Sequence, residues 1–173
     1  RCNVLQDIDS FKRNLNLYVV SEDTDGLLTA TNGTIKQNLR TWINQHKMIN
    51  DTVDILDATI VNLGINFVAV GKIGYNKYEL LNSCYSAIAD AMAFTRDIGE
   101  PMHVTSVYQV LNAVPGVVDT VDVKFVNKTG GIYSDAFYDI KENMSADGRY
   151  LASAESVILE VKYPRDDIVG TIR

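Results

Sequence analysis

The stretch that decides the fold is Asp51-Thr-Val-Asp-Ile-Leu-Asp-Ala-Thr-Ile-Val-Asn-Leu-Gly-Ile-Asn-Phe-Val-Ala-Val-Gly71. It holds two apolar runs in tandem, and the longer one extends from Ile60 to Gly71. Apolar residues occupy every second position of the longer run, which is the period of a strand. Its predicted buried face comprises Val61, Leu63, Ile65, Phe67 and Ala69. Asn62 and Asn66 fall on the other face, so we expect a sheet that is covered on one side only.

The preceding segment predicts a strand and an amphipathic helix. Residues 15–20 alternate as a strand does, and an acidic turn containing Asp23, Asp25 and Gly26 ends it. A helix is expected from about Thr34 to His46, opened by Asn32 or Gly33. Its apolar positions form one stripe at helical spacing. They are Ile35, Leu39, Trp42, Ile43 and His46.

The following segment predicts two more helices and a further strand. The longest helix is expected over about residues 77–96, with one buried side made of Leu80, Leu81, Cys84, Tyr85, Ile88, Met92 and Thr95. A shorter helix carries Val107, Val110, Leu111 and Val114 and ends at Pro115-Gly116. In the next strand we expect Val117, Val121, Val123 and Phe125 inward, with Thr120, Asp122 and Lys124 outward. Residues 15–127 therefore predict an α+β, ferredoxin-like β-α-β-β-α-α-β core.

The two ends of the chain differ in character from this core. Residues 1–14 are interpreted as a lead-in or linker, and residues 128–173 as a C-terminal β arm. The arm packs either on the preceding domain or on a neighbouring subunit, and the sequence leaves both open. Tyrosine is enriched at protein interfaces, and the arm holds several. The predicted interface residues are Tyr133, Phe137, Tyr138, Tyr150, Val157, Leu159, Val161 and Tyr163.

Composition excludes several classes of function. A formal net charge of −6 argues against a nucleic-acid-binding face, which needs clustered basic residues. No apolar run approaches the roughly 20 residues of a membrane-spanning helix. Cys2 and Cys84 do not make a disulfide framework, and Cys84 is expected to be an inert buried thiol. The chain begins at Arg1 without a signal-peptide pattern, so we expect a fragment of a longer protein.

The residue types that carry chemistry do not form a recognisable site. Glu22, Asp23 and Asp25 lack the spacing of a calcium loop, and the strand period separates the aspartates at 51, 54 and 57. The glycines at 71–74 and 130–131 fit no phosphate-binding motif. We therefore predict no catalytic residue, no cofactor and no metal. The alternative is a small-molecule-binding or enzymatic ferredoxin-like domain that uses a Cys84/His103 pocket. The other histidine, His46, has no second ligand residue at the spacing that a metal site needs.

Several segments, in order, resemble the baseplate J-like family of contractile phage tails, which includes the baseplate wedge proteins of T-even-like phages. They are residues 15–71, and within them Asn38-Leu-Arg-Thr-Trp-Ile-Asn44 and Lys47-Met-Ile-Asn-Asp-Thr-Val53; then Ile98-Gly-Glu-Pro101, Tyr108-Gln-Val-Leu-Asn112, Val114-Pro-Gly-Val-Val-Asp-Thr-Val-Asp122, Phe137-Tyr-Asp-Ile140, Ser145-Ala-Asp-Gly-Arg-Tyr150 and Val161-Lys-Tyr-Pro164. None of these motifs encodes a reaction, and their order over the chain carries the resemblance.

The resemblance implies the C-terminal part of a structural virion protein, not an enzyme. Its expected partners are a second copy of itself, as a homodimer, and other baseplate wedge proteins. The implied location is the tail baseplate of the virion, after assembly in the host bacterial cytoplasm. No nucleic acid, membrane or small-molecule substrate is expected. An adaptor of a cellular contractile injection machine is a second alternative that the sequence separates only weakly.

Overall fold

The computed structural model describes residues 1–7, 14–93 and 96–173, and it shows a mixed α+β protein. In chain order the strands and helices of these residues are β1 Cys2–Gln6, β2 Asn14–Val19, β3 Ser21–Glu22, β4 Leu28–Thr29, α1 Gly33–His46, β5 Thr52–Asp57, β6 Thr59–Gly71, α2 Lys77–Met92, β7 Met102–His103, α3 Val104–Asn112, β8 Val117–Lys128, α4 Ile140–Asn143, β9 Tyr150–Leu151, β10 Val157–Glu160, α5 Pro164–Asp167 and β11 Ile168–Ile172.

Strand β6 is the centre of the main sheet. On one edge β8 pairs with it antiparallel; on the other edge β10 and then β11 pair with it parallel. The inward face predicted from the alternation is confirmed, because all five of its residues are buried. Helices α2 and α3 supply Leu80, Cys84, Ile88, Val107 and Leu111 to the same core. Burial of this apolar face is the main stabilising contribution, at about 25 cal/mol per Å² removed from water.

A second sheet holds the first part of the chain, with β2 between β1 and β5. Strand β5 is parallel to β2, and Ala58 alone separates β5 from β6. The predicted element order β-α-β-β-α-α-β is present, but its strands are divided between two sheets. The α+β class is therefore confirmed, whereas a ferredoxin-like topology is not.

Both ends of the chain contribute strands to this fold. Residues 2–6 form β1, which pairs with β2, where the sequence predicted a lead-in; residues 8–13 of that segment lie outside the described residues. In the C-terminal segment, β10 and β11 pair with β6 of the same chain and supply Leu159 and Ile172 to its core. The last residues of this segment form β11, because Ile168 and Ile172 bury apolar side chains against β6.

Local irregularities reverse some of the predicted side-chain directions. The β6–β8 register pairs Val68 with Asp122 but Ala69 with Thr120, so Val121 is an extra residue in β8. Such a bulge shifts the alternation by one position. The predicted directions of Val121 and Thr120 are therefore wrong: Val121 is exposed, whereas Thr120 is buried. Helix α2 ends at Met92, earlier than predicted, and the Thr95 assigned to its buried side lies outside the described residues.

Asn62 is also placed differently from the prediction. It is buried, not on a wet face, because β10 and a second apolar cluster cover this end of the sheet. That cluster comprises Val20, Leu28, Ala58, Ile98 and Ile158. Strand β10 is consequently buried on both faces, as parallel strands often are. Only the half of β6 around Asn66 keeps an exposed outer face.

Candidate protein–protein interface

Helix α1 packs on the second sheet with only one edge of its apolar stripe. It begins at Gly33, where the side chain of Asn32 accepts a hydrogen bond from the Thr34 N–H at 3.0 Å. Leu39 and Ile43 pack against the buried residues of β2 and β5. No residue of α1 is buried. The predicted stripe is therefore broader than the contact that the sheet offers.

The other edge of the stripe is exposed to solvent. The Trp42 side chain is 59% exposed and Ile35 is 52% exposed. The His46 ring stacks on Trp42 with 4.4 Å between ring centroids. Beyond the helix, Met48 and Ile49 are exposed as well. We call these residues, Ile35, Trp42, His46, Met48 and Ile49, the α1 surface.

The α1 surface has the character of a contact site. Scattered exposed apolar side chains are normal, but these five lie on one helix and the turn that follows it. Tryptophan is strongly enriched among the residues that dominate binding energy at interfaces. The sequence predicted this stripe but not its exposed edge, because periodicity shows that a face is apolar and does not show what covers it.

The aliphatic part of the predicted C-terminal interface lies inside the chain. Val157, Leu159 and Val161 are buried in the main core and are unavailable to a partner while this fold persists. Their burial follows from the parallel pairing of β10 with β6 and from the packing of Val161 just after it.

The aromatic part is divided between internal bonds and the surface. Tyr133 donates a hydrogen bond to Asp167 Oδ1 at 2.6 Å, and Tyr138 donates one to the carbonyl of Ala152 at 2.9 Å. The Tyr163 ring packs edge-on against Tyr133. These three rings are half-buried. Phe137 and Tyr150 are exposed, and they remain candidates for contact with a partner.

Two buried carboxylates were missed by the sequence reasoning. Glu160 accepts hydrogen bonds from Leu28 N–H at 3.1 Å and from Asn62 Nδ2 at 2.8 Å. Burial raises the pKa of Glu160, although both hydrogen bonds act in the opposite direction. Asp167 is fully buried and accepts bonds from Tyr133 and from the backbone N–H of Tyr163 at 2.8 Å. These networks tie distant strands together, so we assign them to stability.

The two residues of the alternative catalytic pair differ in burial. Cys84 lies in the core on α2, and burial raises the pKa of its thiol. His103 is exposed, with its ring against that of Tyr150. A reactive cysteine needs a stabilised and accessible thiolate. Cys84 has neither property.

The other candidate chemical groups have structural roles. Asp23 Oδ1 accepts hydrogen bonds from the N–H groups of Asp25 and Leu27, both at 2.9 Å, and so closes the acidic turn. Asp57 forms an ion pair with Lys36. His46 Nδ1 lies 2.8 Å from the carbonyl oxygen of Trp42. Across residues 1–7, 14–93 and 96–173, no three His, Cys, Asp or Glu side chains are grouped as metal ligands would be.

Within the described part of the chain, none of the helices has the length and hydrophobicity of a membrane-spanning segment. The fold is that of an α+β protein, and its exposed features include the apolar and aromatic α1 surface. No family model matches the sequence, and no curated protein matches it.

Proposed function

We propose that the chain is a structural assembly subunit that acts through protein–protein contacts, and that it belongs to the baseplate wedge of a contractile phage tail. The observation that carries the first part is the α1 surface, where the only tryptophan of the sequence stacks on His46 and is left exposed. The second part is supported by the ordered resemblance to baseplate J-like proteins described above.

The proposed partners are a second copy of the chain and other wedge proteins. The proposed location is the tail baseplate of the virion, reached after assembly in the bacterial cytoplasm. The proposal uses only the α+β class, and it draws nothing from the ferredoxin-like arrangement. It includes no catalytic step, and the buried position of Cys84 weighs against the enzymatic alternative.

Sedimentation velocity over a concentration series tests self-association through the α1 surface. The test variant is Trp42→Gln with Ile49→Ser, which removes apolar surface and keeps a good helix former at position 42. Truncating a central interface tryptophan typically costs about 2 kcal/mol or more, and this corresponds to about thirtyfold in the dissociation constant. We therefore expect the variant to remain monomeric where the unmodified chain forms dimers.

The matched control is Tyr78→Gln with Ile73→Ser. Both positions are exposed and lie in or just before α2, away from the α1 surface. We expect this control to associate as the unmodified chain does. Equal association of all three proteins would exclude the α1 surface as the contact, and a monomer at every concentration would exclude self-association.

A further inference from the structure

One side of helix α1 is exposed and carries no charged residue. The seven residues that share this side are Thr34, Ile35, Asn38, Thr41, Trp42, Gln45 and His46. None of them is Asp, Glu, Lys or Arg. A soluble surface typically carries about 25–35% charged residues, so seven exposed positions would ordinarily hold about two. We call these seven residues the uncharged flank; it includes the helical part of the α1 surface.

The charged residues of α1 lie on its other side. Successive residues of a helix are about 100° apart, so Arg40 lies about 160° around the helix from Trp42. Lys36 lies toward β5, where its Nζ forms an ion pair with Asp57. The helix therefore separates charged from uncharged residues, although none of its residues is buried in the chain. A side of a helix that only faces water has no need to exclude charge, so this separation indicates that another molecule covers the flank.

The spacing of four residues on the uncharged flank is that of a helix-pairing seam. Intervals of three, four and three residues separate Ile35, Asn38, Trp42 and Gln45. These are the a and d positions of a heptad, which form the side of a helix that packs against a second helix. Leu39 and Ile43, which pack on β2 and β5, lie beside this seam and not on it. Helix α1 thus has one contact side for its own sheet and another for a partner helix.

The polar groups of the flank favour a second copy of this chain as the occupant. Each of its hydroxyl and amide groups both donates and accepts hydrogen bonds. In a two-fold contact the same set of side chains faces itself, so such groups can pair, whereas charges of one sign would repel. The side chains of Asn38 and Gln45 have no hydrogen-bond partner within the described part of the chain. A contact with a different protein is usually marked by complementary charge, which this flank lacks.

We propose that two copies of the chain pair through their uncharged flanks as antiparallel helices about a two-fold axis. In this arrangement a positions face d positions, so Trp42 packs beside Asn38 of the second copy and Ile35 packs beside Gln45 of the second copy. The two helix dipoles then oppose each other, which favours this direction. A parallel pair would instead place two Trp42 rings in the same layer of the seam. Asn38 and Gln45 set the register, as single polar residues in such seams do. The proposal rests on the proposed self-association and adds its geometry.

Disulfide trapping between two chains that each expose one cysteine tests this arrangement. Both chains carry Cys2→Ser; one adds Ile35→Cys, and the other adds Gln45→Cys. These positions are exposed, so folding is retained. Positions 35 and 45 meet in the antiparallel pair, whereas two copies of position 35 lie about 15 Å apart along the helices, beyond the reach of a disulfide. We expect a cross-linked dimer in an oxidised equimolar mixture and none in either chain alone.

A matched control uses the side of α1 that is turned away from the flank. Gln37→Cys and Asn44→Cys are exposed there, and their mixture should give no cross-link. The role of the amides is tested with Asn38→Leu and Gln45→Leu in the chain that carries Ile35→Cys. An apolar seam holds helices together without fixing their direction. We therefore expect this variant to associate at least as tightly and to cross-link to itself through position 35.

Three results of the trapping would overturn the proposal. They are self-cross-linking of a chain with native amides, cross-linking by the control pair, and dimers without any cross-link, which would leave the flank to a different partner. Leucine variants that remain strictly antiparallel would overturn the role of the two amides. Failure of the proposed function is distinguishable, because sedimentation of the unmodified chain would then show a monomer at every concentration, and both proposals would fall together.

Discussion

Removing the hydroxyl of Tyr133 should destabilise the chain measurably. Tyr133 donates at 2.6 Å to Asp167 Oδ1, and the Asp167 side chain is fully buried. In a Tyr133→Phe variant the carboxylate keeps the Tyr163 N–H at 2.8 Å on its other oxygen. Near Oδ1, Lys128 Nζ remains 3.6 Å away. Loss of a hydrogen bond to a charged group costs about 1.5–3 kcal/mol.

Urea unfolding at neutral pH measures this cost. With a denaturant slope of about 2 kcal/mol per M, a loss of about 2 kcal/mol lowers the midpoint by about 1 M. The matched control is Tyr78→Phe, because Tyr78 is 84% exposed; its midpoint should change little, since exposed substitutions usually stay within about 0.5 kcal/mol. A Tyr133→Phe midpoint equal to that of the control would refute the assignment of this bond to stability.

The pH dependence gives the same prediction a second readout. The hydrogen bond to Asp167 is the main cause that raises the pKa of Tyr133 to about 12. The folded state therefore holds the phenolic proton more tightly than the unfolded state, whose tyrosine pKa is about 10. The contribution is complete below about pH 10 and is lost as the pH rises through about 12. The stability gap between the unmodified chain and Tyr133→Phe should be constant up to about pH 10 and shrink above it.

Three further predictions follow from buried positions. In Gly170→Ala the new Cβ would overlap the Phe67 ring, so we expect the free energy of unfolding to fall by about 1–3 kcal/mol in thermal or urea unfolding. The control Gly33→Ala, whose new Cβ has open space, should lose no stability. Equal stabilities of the two variants would contradict this packing. A thiol reagent should modify exposed Cys2 in the folded chain and buried Cys84 only after unfolding, and fast reaction of both would mean that Cys84 is accessible. Burial raises the pKa of Glu160, so its contribution to stability is greatest below the unfolded pKa of about 4.3 and falls as pH rises through the folded pKa. Urea midpoints over pH should therefore show a smaller advantage of the unmodified chain over Glu160→Gln as pH rises, and parallel curves would contradict the shift.

Local patterns predicted the parts of the fold that have a clear period. The alternation from Val61 to Ala69 identified the buried face of β6, and Asn32 marked the start of α1. The bulge at Val121 has no such signature, because its position depends on how β8 aligns with β6. Strand β11 was missed since residues 168–172 are short and contain Gly170, and their pairing partner lies about a hundred residues earlier.

The candidate site was predictable only in part, for a related reason. Glu160 alternates with apolar residues as an outward position would, yet Asn62 and Leu28 satisfy its carboxylate inside the fold. The pattern of Val157 and Leu159 predicted an apolar strand face that could contact a partner. The strand that carries them, β10, pairs with β6 of the same chain instead. Conversely, the stripe of α1 is apolar throughout, yet Trp42 on it is exposed. The periodicity of apolar residues identifies apolar faces, but tertiary packing decides which of these faces remain exposed.

The fluorescence of Trp42 tests the proposed assembly through the α1 surface most directly, because the chain contains one tryptophan and its side chain is 59% exposed. Emission and acrylamide quenching should be recorded over the concentration range in which sedimentation shows dimers form. We predict a blue shift and protection from quenching that follow the rise in mass, since the indole leaves water on association. A rise in mass with unchanged emission and quenching would contradict contact through this surface.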